Sequence, residues 1–193
     1  RISVTDRCNL RCVYCLPAAG VRWMPRDEIL RYEEIAAVVR TGIRLGIGHV
    51  RLTGGEPLVR EGLLDLVRML SGLSGLADLA LTTNGVLLAD QAQALKAAGL
   101  KRINISLDTL WPDRFRRITR FGEIVDVRRG ITASLEAGLD PVKLNMVVVR
   151  GVNDDEITDL AALTQSLPVE VRFIELMPLG GGDCARLSLS QYV

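Results

Sequence analysis

Residues 8–15 read Cys8-Asn9-Leu10-Arg11-Cys12-Val13-Tyr14-Cys15, with three cysteines at Cys-x-x-x-Cys-x-x-Cys spacing. The run that precedes the octet, Arg1-Ile2-Ser3-Val4-Thr5, is mostly β-branched or apolar and predicts a short strand over 1–5. A loop at the end of a strand presents the three thiolates on one small surface. Soft thiolates select zinc, copper(I) or iron–sulfur clusters, so the octet predicts a metal site.

The number of ligands helps to choose among these metals. A structural zinc takes four protein ligands, and a cubane cluster usually takes four thiolates. The octet supplies three, and the chain's only histidine, His49, and only other cysteine, Cys184, lie far along the sequence. Three thiolates leave one iron open to an outside ligand, which is typical of a reactive site. We therefore favour an iron–sulfur cluster, with zinc or unligated thiols as alternatives; a disulfide leaves one cysteine unpaired.

Length and charge narrow the functional class. The chain has 193 residues, enough for one domain with a substantial core. Its net charge of +1 provides no electrostatic case for a nucleic-acid or membrane partner. No apolar run reaches transmembrane length and no signal peptide is recognisable. Clustered reduced cysteines fit a reducing cytosol, so we expect a cytoplasmic protein. The chain begins at Arg1, without methionine and on a predicted strand, which is typical of a fragment.

Strands and helices alternate along the whole chain. The predicted strands span residues 1–5, 48–52, 76–81, 102–107, 142–149 and 169–174, and the predicted helices span 33–45, 62–73, 90–98, 124–137 and 154–166. Such alternation predicts an α/β fold with a parallel sheet, and the near-continuous apolar strands predict burial on both faces. Six strands are too few for a closed eight-stranded barrel and fit an open, curved sheet.

Glycine-rich or polar motifs recur where the predicted strands end. They are the octet, Gly54-Gly55-Glu56-Pro57, Thr82-Thr83-Asn84-Gly85, Ser106-Leu107-Asp108, Lys143 with Asn145, and Glu175-Leu176-Met177-Pro178. In parallel barrels the active site lies at the carboxyl ends of the strands. We therefore expect these motifs to meet at one rim and to form one site.

The octet, with an aromatic residue before its third cysteine, resembles the cluster loop of radical S-adenosylmethionine (SAM) enzymes. The longer run from Arg1 to Pro17 resembles the GTP 3′,8-cyclase family of molybdenum cofactor (molybdopterin) biosynthesis. The resemblance implies an open (β/α)6 partial TIM barrel as the core domain over 1–179, followed by a tail over 180–193. It also implies a 4Fe–4S cluster held by Cys8, Cys12 and Cys15.

The same resemblance implies the reaction. SAM chelates the open iron and is reductively cleaved to methionine and a 5′-deoxyadenosyl radical, which abstracts hydrogen from C3′ of GTP. The sugar radical then attacks C8 of guanine and yields 3′,8-cyclo-7,8-dihydro-GTP, a lyase reaction. A reductant protein or an equivalent electron donor supplies the electron. No catalytic residue is assigned beyond the cluster.

Further site residues follow from the resemblance. The positions that match SAM contacts are Tyr14, Gly55, Ser106 and Met177, and those that match GTP contacts are Arg1, Arg51, Thr82 and Lys143. A triphosphate demands several cations. Lys143 interrupts an apolar strand, and because a buried lysine is costly unless paired, we expect it to point into the cavity. Glu56 has two open roles, since it can accept from an ammonium group or orient its loop.

The match to the cyclase family is incomplete at its far end. That family has a C-terminal region with three more cysteines, which hold a second cluster at the guanine end of GTP. We therefore expect a cyclase core that is by itself unable to complete turnover. The alternatives are another radical SAM enzyme, such as a peptide or sulfatase maturase, or an inactive metal-binding fragment. The sequence is compatible with a homodimer. A basic run is expected to be solvated helix and loop surface: Arg116, Arg117, Arg120, Arg128 and Arg129.

Overall fold

The computed structural model describes residues 1–177, so the predicted tail at 180–193 and Pro178 lie outside the described residues. The strands are β1 (Ile2–Ser3), β2 (His49–Thr53), β3 (Asp78–Thr83), β4 (Arg102–Ser106), β5 (Val142–Val148) and β6 (Val169–Glu175). The α-helices are α1 (Tyr32–Arg44), α2 (Leu63–Ser71), α3 (Ala92–Ala97), α4 (Pro112–Thr119), α5 (Ile124–Glu136) and α6 (Ile157–Ser166). No helix within residues 1–177 combines the length and the apolar character that a membrane crossing requires.

The strands form one parallel sheet in the order in which they occur along the chain, β1 to β6. Each strand therefore pairs with its neighbours in sequence, as a single winding direction requires. Among the described residues, β1 and β6 pair on one side only, so the sheet stays open. The predicted α/β fold with an open six-stranded parallel sheet is confirmed.

The two faces of the sheet have opposite chemistry. The outward side chains, such as Leu52, Leu81 and Ile105, are buried in one core with residues of the surrounding helices. Burying each such side chain contributes about 1.5–3 kcal/mol. The alternate side chains point the other way, and we call their surface the inner face. Register pairs place its polar and charged members side by side: Arg51, Thr82, Arg102, Asn104, Ser106, Lys143, Asn145, Glu170 and Arg172.

The structure differs from the predicted elements in two places. Strand β1 has only two residues, although the Val4 amide continues the pairing by donating to Thr53 O at 2.8 Å. Helix α4 lies in a segment that is not among the predicted helices. Its apolar side consists of Phe115 and Ile118, and the rest is largely charged, so the repeat is too short to stand out. The basic run that begins there is helical surface only in part, as described below.

Candidate cofactor and substrate site

A cavity of about 230 Å³ lies at the carboxyl ends of the strands. Its lining includes these predicted site residues: Cys8, Cys12, Cys15, Tyr14, Gly55, Thr82 and Ser106. The motifs after β1, β2, β3 and β4 thus meet, as expected for a parallel sheet. A larger cavity of about 580 Å³ also contacts Cys8 but neither of the other two cysteines of the octet. We therefore regard the smaller cavity as the cofactor site.

The cysteine loop is held in place by the end of α4. The amides of Arg11 and Val13 donate to Thr119 O and Ile118 O at 3.0 and 2.9 Å. One amino group of Arg120 donates to Arg11 O at 2.8 Å and to Leu16 O at 3.0 Å. The prediction that Arg120 is solvated surface is wrong, because its guanidinium ties both sides of the loop to the helix. Sequence spacing could not reveal this role, since the partners are backbone carbonyls far away in the chain.

Burial of the cysteine loop affects the ionisation of its thiols. Burial raises the pKa of Cys8, and burial together with Asp108 and the neighbouring thiols raises the pKa of Cys12 to about 12. Thiolates at these positions therefore need compensating cations. The sulfur of Cys8 also receives hydrogen bonds from Leu10 N at 3.4 Å and Asn84 Nδ2 at 3.9 Å. Hydrogen bonds to sulfur are a feature of iron–sulfur sites, so the donor set fits a 4Fe–4S cluster.

Within residues 1–177, no three His, Cys, Asp or Glu side chains converge on one metal ion. The fit to a cluster therefore rests on the chemistry of the thiols and their hydrogen-bond donors.

The Gly-Gly-Glu-Pro turn packs directly on the start of the cysteine loop. A Cβ atom on Gly55 would lie 2.3 Å from Arg7 O, and one on Gly54 would lie 2.6 Å from Thr5 O. The amides of Gly55 and Glu56 donate to these same two carbonyls at 2.6 and 2.8 Å. The glycines are thus required for a close approach of two backbone segments, which carries the β1–β2 pairing up to the cluster loop.

Glu56 is the buried link between the turns after β2 and β3. Only 1% of it is exposed. One carboxylate oxygen accepts from Leu58 N at 3.0 Å and Thr83 Oγ1 at 2.7 Å, and the other accepts from Asn84 N at 2.6 Å. Burial raises its pKa, and these donors oppose that shift. With both oxygens occupied, the geometry favours the loop-orienting role over binding of an ammonium.

Tyr14 is held by Asp108, which follows β4 and to which the sequence analysis assigns no individual role. The Tyr14 hydroxyl donates to one oxygen of buried Asp108, and Val147 N donates to the other at 2.8 Å. Burial raises the pKa of Asp108 to about 6. Asn153 fixes the same corner by donating to Asp108 O and Val147 O at 2.8 and 2.9 Å. An acidic residue directly after an apolar strand was the available signal.

The cations predicted to bind GTP lie on the inner face next to the cavity. Lys143 is 8% exposed and forms an ion pair with Glu170, which also lies 3.5 Å from Arg172. Burial lowers the pKa of Arg51, and nearby guanidinium groups lower it further, those of Arg1, Arg102 and Arg172. The structure thus groups Arg51 with three other guanidinium groups, and Glu170 joins Lys143 to them because it contacts both Lys143 and Arg172. We call this group of cations the positive region, and none of them lines the cofactor cavity.

Met177 is the predicted SAM residue that the structure does not bring to the site. It follows β6, is 58% exposed and does not line the cavity. Its role stays a prediction.

The sequence model of the Radical SAM superfamily matches residues 2–164. The chain belongs to the radical SAM superfamily. One 4Fe–4S cluster and SAM are the cofactors of this superfamily, and the thiols and cavity described above fit them.

Two similar relatives of this radical SAM chain carry the same name. The chain is 60% identical over 183 residues to "GTP 3′,8-cyclase" of Pelotomaculum thermopropionicum, and the match covers 95% of this chain and 56% of that protein. It is 57% identical over 193 residues to the protein of the same name from Desulforamulus reducens, covering 100% of this chain and 59% of that protein. The chain thus spans little more than half the length of these relatives.

Solved structures support the radical SAM fold. Methylornithine synthase matches with a TM-score of 0.73 at 21% identity, covering 94% of this chain and 54% of that chain. Streptococcus suis SuiB bound to its precursor peptide matches with a TM-score of 0.71 at 18% identity, covering 91% and 38%. At these identities the similarity concerns the fold alone.

Proposed function

We propose that this chain is the radical SAM core of a GTP 3′,8-cyclase, which converts GTP to 3′,8-cyclo-7,8-dihydro-GTP in molybdenum cofactor biosynthesis. The names of relatives at 57–60% identity support this function. The observation that carries it in the structure is the positive region of the inner face, which adjoins a cavity lined by three thiols. A superfamily cofactor site beside several cations suits a polyphosphate substrate.

The cofactor side of the site is assigned to the rim. Cys8, Cys12 and Cys15 hold the cluster, and Tyr14 and Gly55 border the space for SAM. When bound, the cluster and SAM supply a 5′-deoxyadenosyl radical by reductive cleavage of SAM. The chain's own contribution is rigidity, because Glu56, Asp108 and Arg120 fix the three loops that enclose the cavity.

The substrate side is assigned to the inner face. Arg1, Arg51 and Lys143 bind the triphosphate, and Thr82 lies between them and the cavity that it also lines. Phosphate oxygens compete with Glu170 for the Lys143 ammonium through charge-assisted hydrogen bonds. Phosphates bound there place the sugar towards the rim, where positioning accelerates the reaction. An external one-electron donor protein completes the system.

The test is anaerobic reconstitution with iron and sulfide, followed by measurement of 5′-deoxyadenosine formation from SAM with and without GTP. We expect GTP to raise the yield, and Arg51→Ala to abolish that rise. Arg129→Ala is the matched control, because Arg129 is an exposed arginine on α5. Formation indifferent to GTP points instead to another radical SAM enzyme, such as a peptide or sulfatase maturase. Failure to assemble any cluster points to an inactive metal-binding fragment.

A further inference from the structure

Buried polar atoms without a partner are concentrated around the proposed site. In the described part of the chain these atoms are Asp6 Oδ1, Arg7 Nε, Arg51 Nε, Asn104 Oδ1 and Asn145 Oδ1. The first two lie at the entrance to the cysteine loop and the other three on the inner face. Buried polar atoms almost always have hydrogen-bond partners in folded proteins. Three exceptions on one face therefore mark a place where water or a ligand can supply the missing partners.

Two of the three inner-face atoms are acceptors. Asn104 is fully buried and alternates along β4 with the core residues Ile103 and Ile105, so its side chain belongs to the inner face. Its Nδ2 donates to Leu81 O at 3.3 Å, which leaves Oδ1 as the unused atom. Asn145 is half-buried on β5 and alternates with the core residue Leu144.

The two asparagines lie between the cofactor cavity and the cations. Asn145 pairs in register with Ser106, which lines the cavity, and on its other side with Arg172. Asn104 pairs with Thr82 and Lys143. A nucleotide that places its phosphates on Lys143 and its reacting carbon at the cavity must cross this position with its sugar.

The chemistry of the unused atoms selects the part of the ligand. A triphosphate offers only acceptors, so it cannot satisfy a carboxamide oxygen, whereas sugar hydroxyls donate hydrogen bonds. We propose that Asn104 and Asn145 form a sugar subsite that accepts hydrogen bonds from the ribose hydroxyls of the nucleotide. The proposal rests on the proposed function and deepens it. Because Asn104 is fully buried, contact with it requires that neighbouring side chains of the inner face move aside.

The test measures equilibrium binding to the full-length protein with its cluster reconstituted and no reductant present, so that no turnover occurs. The probes are GTP, 2′-deoxyGTP, 3′-deoxyGTP and inorganic tripolyphosphate. Asn145→Leu keeps the side-chain size and removes the acceptor. We expect it to weaken GTP binding by about 3- to 10-fold, the value of one hydrogen bond. Tripolyphosphate, which has no sugar, is expected to bind the variant as tightly as the wild type.

The deoxynucleotides give a second readout that does not depend on the stability of a variant. Wild-type protein is expected to bind at least one of them about 3- to 10-fold more weakly than GTP. The analogue that lacks the hydroxyl facing Asn145 is expected to lose no further affinity in Asn145→Leu. Equal loss for GTP and both deoxynucleotides, or wild-type binding that ignores both hydroxyls, overturns the sugar subsite. If the wild type binds neither GTP nor tripolyphosphate, the proposed function itself is overturned and the subsite with it.

Discussion

Glu56→Gln tests whether a buried carboxylate holds the rim of the barrel together. Glutamine keeps one acceptor oxygen but turns an amide donor towards one of the three donors that Glu56 serves. If the amide faces Asn84 N, a buried N–H is left unpaired, which costs about 1–3 kcal/mol. Removing a buried charge offsets part of this loss, since burial raises the pKa of Glu56. We therefore expect a net decrease of about 1–2 kcal/mol in the free energy of unfolding.

Urea unfolding of the apoprotein, followed by far-ultraviolet circular dichroism, measures this difference. Glu136→Gln is the matched control, because Glu136 is exposed on α5, and such surface substitutions stay within about 0.5 kcal/mol. A Glu56→Gln variant as stable as this control refutes the reasoning. Glu56 would then be available to bind the ammonium group of a ligand, which is the other role that its sequence context leaves open.

Three further outcomes follow from the described contacts. Gly55→Ala is expected to abolish iron incorporation, measured by iron and sulfide content, because the new Cβ would lie 2.3 Å from Arg7 O. Gly48→Ala is the control, because its Cβ would lie no closer than 3.7 Å to a neighbouring atom, and this variant is expected to keep the iron. Asp108→Ala is expected to weaken SAM binding about 10-fold in equilibrium dialysis, because the Tyr14 hydroxyl loses its Asp108 acceptor. Asp108→Asn keeps an acceptor oxygen and is expected to restore most of the affinity, and equal loss in both variants contradicts the positioning role. A hydrogen bond from Arg102 lowers the pKa of Asp78, so the stability that Asp78 contributes to the fold is present above about pH 4 and is lost as the pH falls through its folded-state pKa. The unfolding temperature of Asp78→Asn is therefore expected to approach that of the wild type at acid pH, and a difference that stays constant with pH contradicts this.

The order and type of most elements could be predicted from the sequence because they depend on local patterns. Short segments in which apolar residues alternate with polar ones or follow one another, separated by helical periodicity, specify strands such as β3, β4 and β5. The octet also carries its chemistry locally, because three cysteines within eight residues present their sulfurs together wherever the loop lies. The placement of polar motifs after strands then predicted the common rim, since parallel strands end on the same side.

Only the tertiary structure decided which side chains meet. Tyr14 and Asp108 lie 94 positions apart in sequence, and their contact depends on how the cysteine loop folds over the sheet. Arginine is usually a surface residue, yet the end of α4 places Arg120 against Arg11 O and Leu16 O of the cysteine loop. Lys143 pairs with Glu170 because the register of β5 and β6 puts them side by side. Spacing along a chain determines secondary structure and local ligand sets, whereas long-range partners follow from strand register and helix docking, which no local pattern encodes.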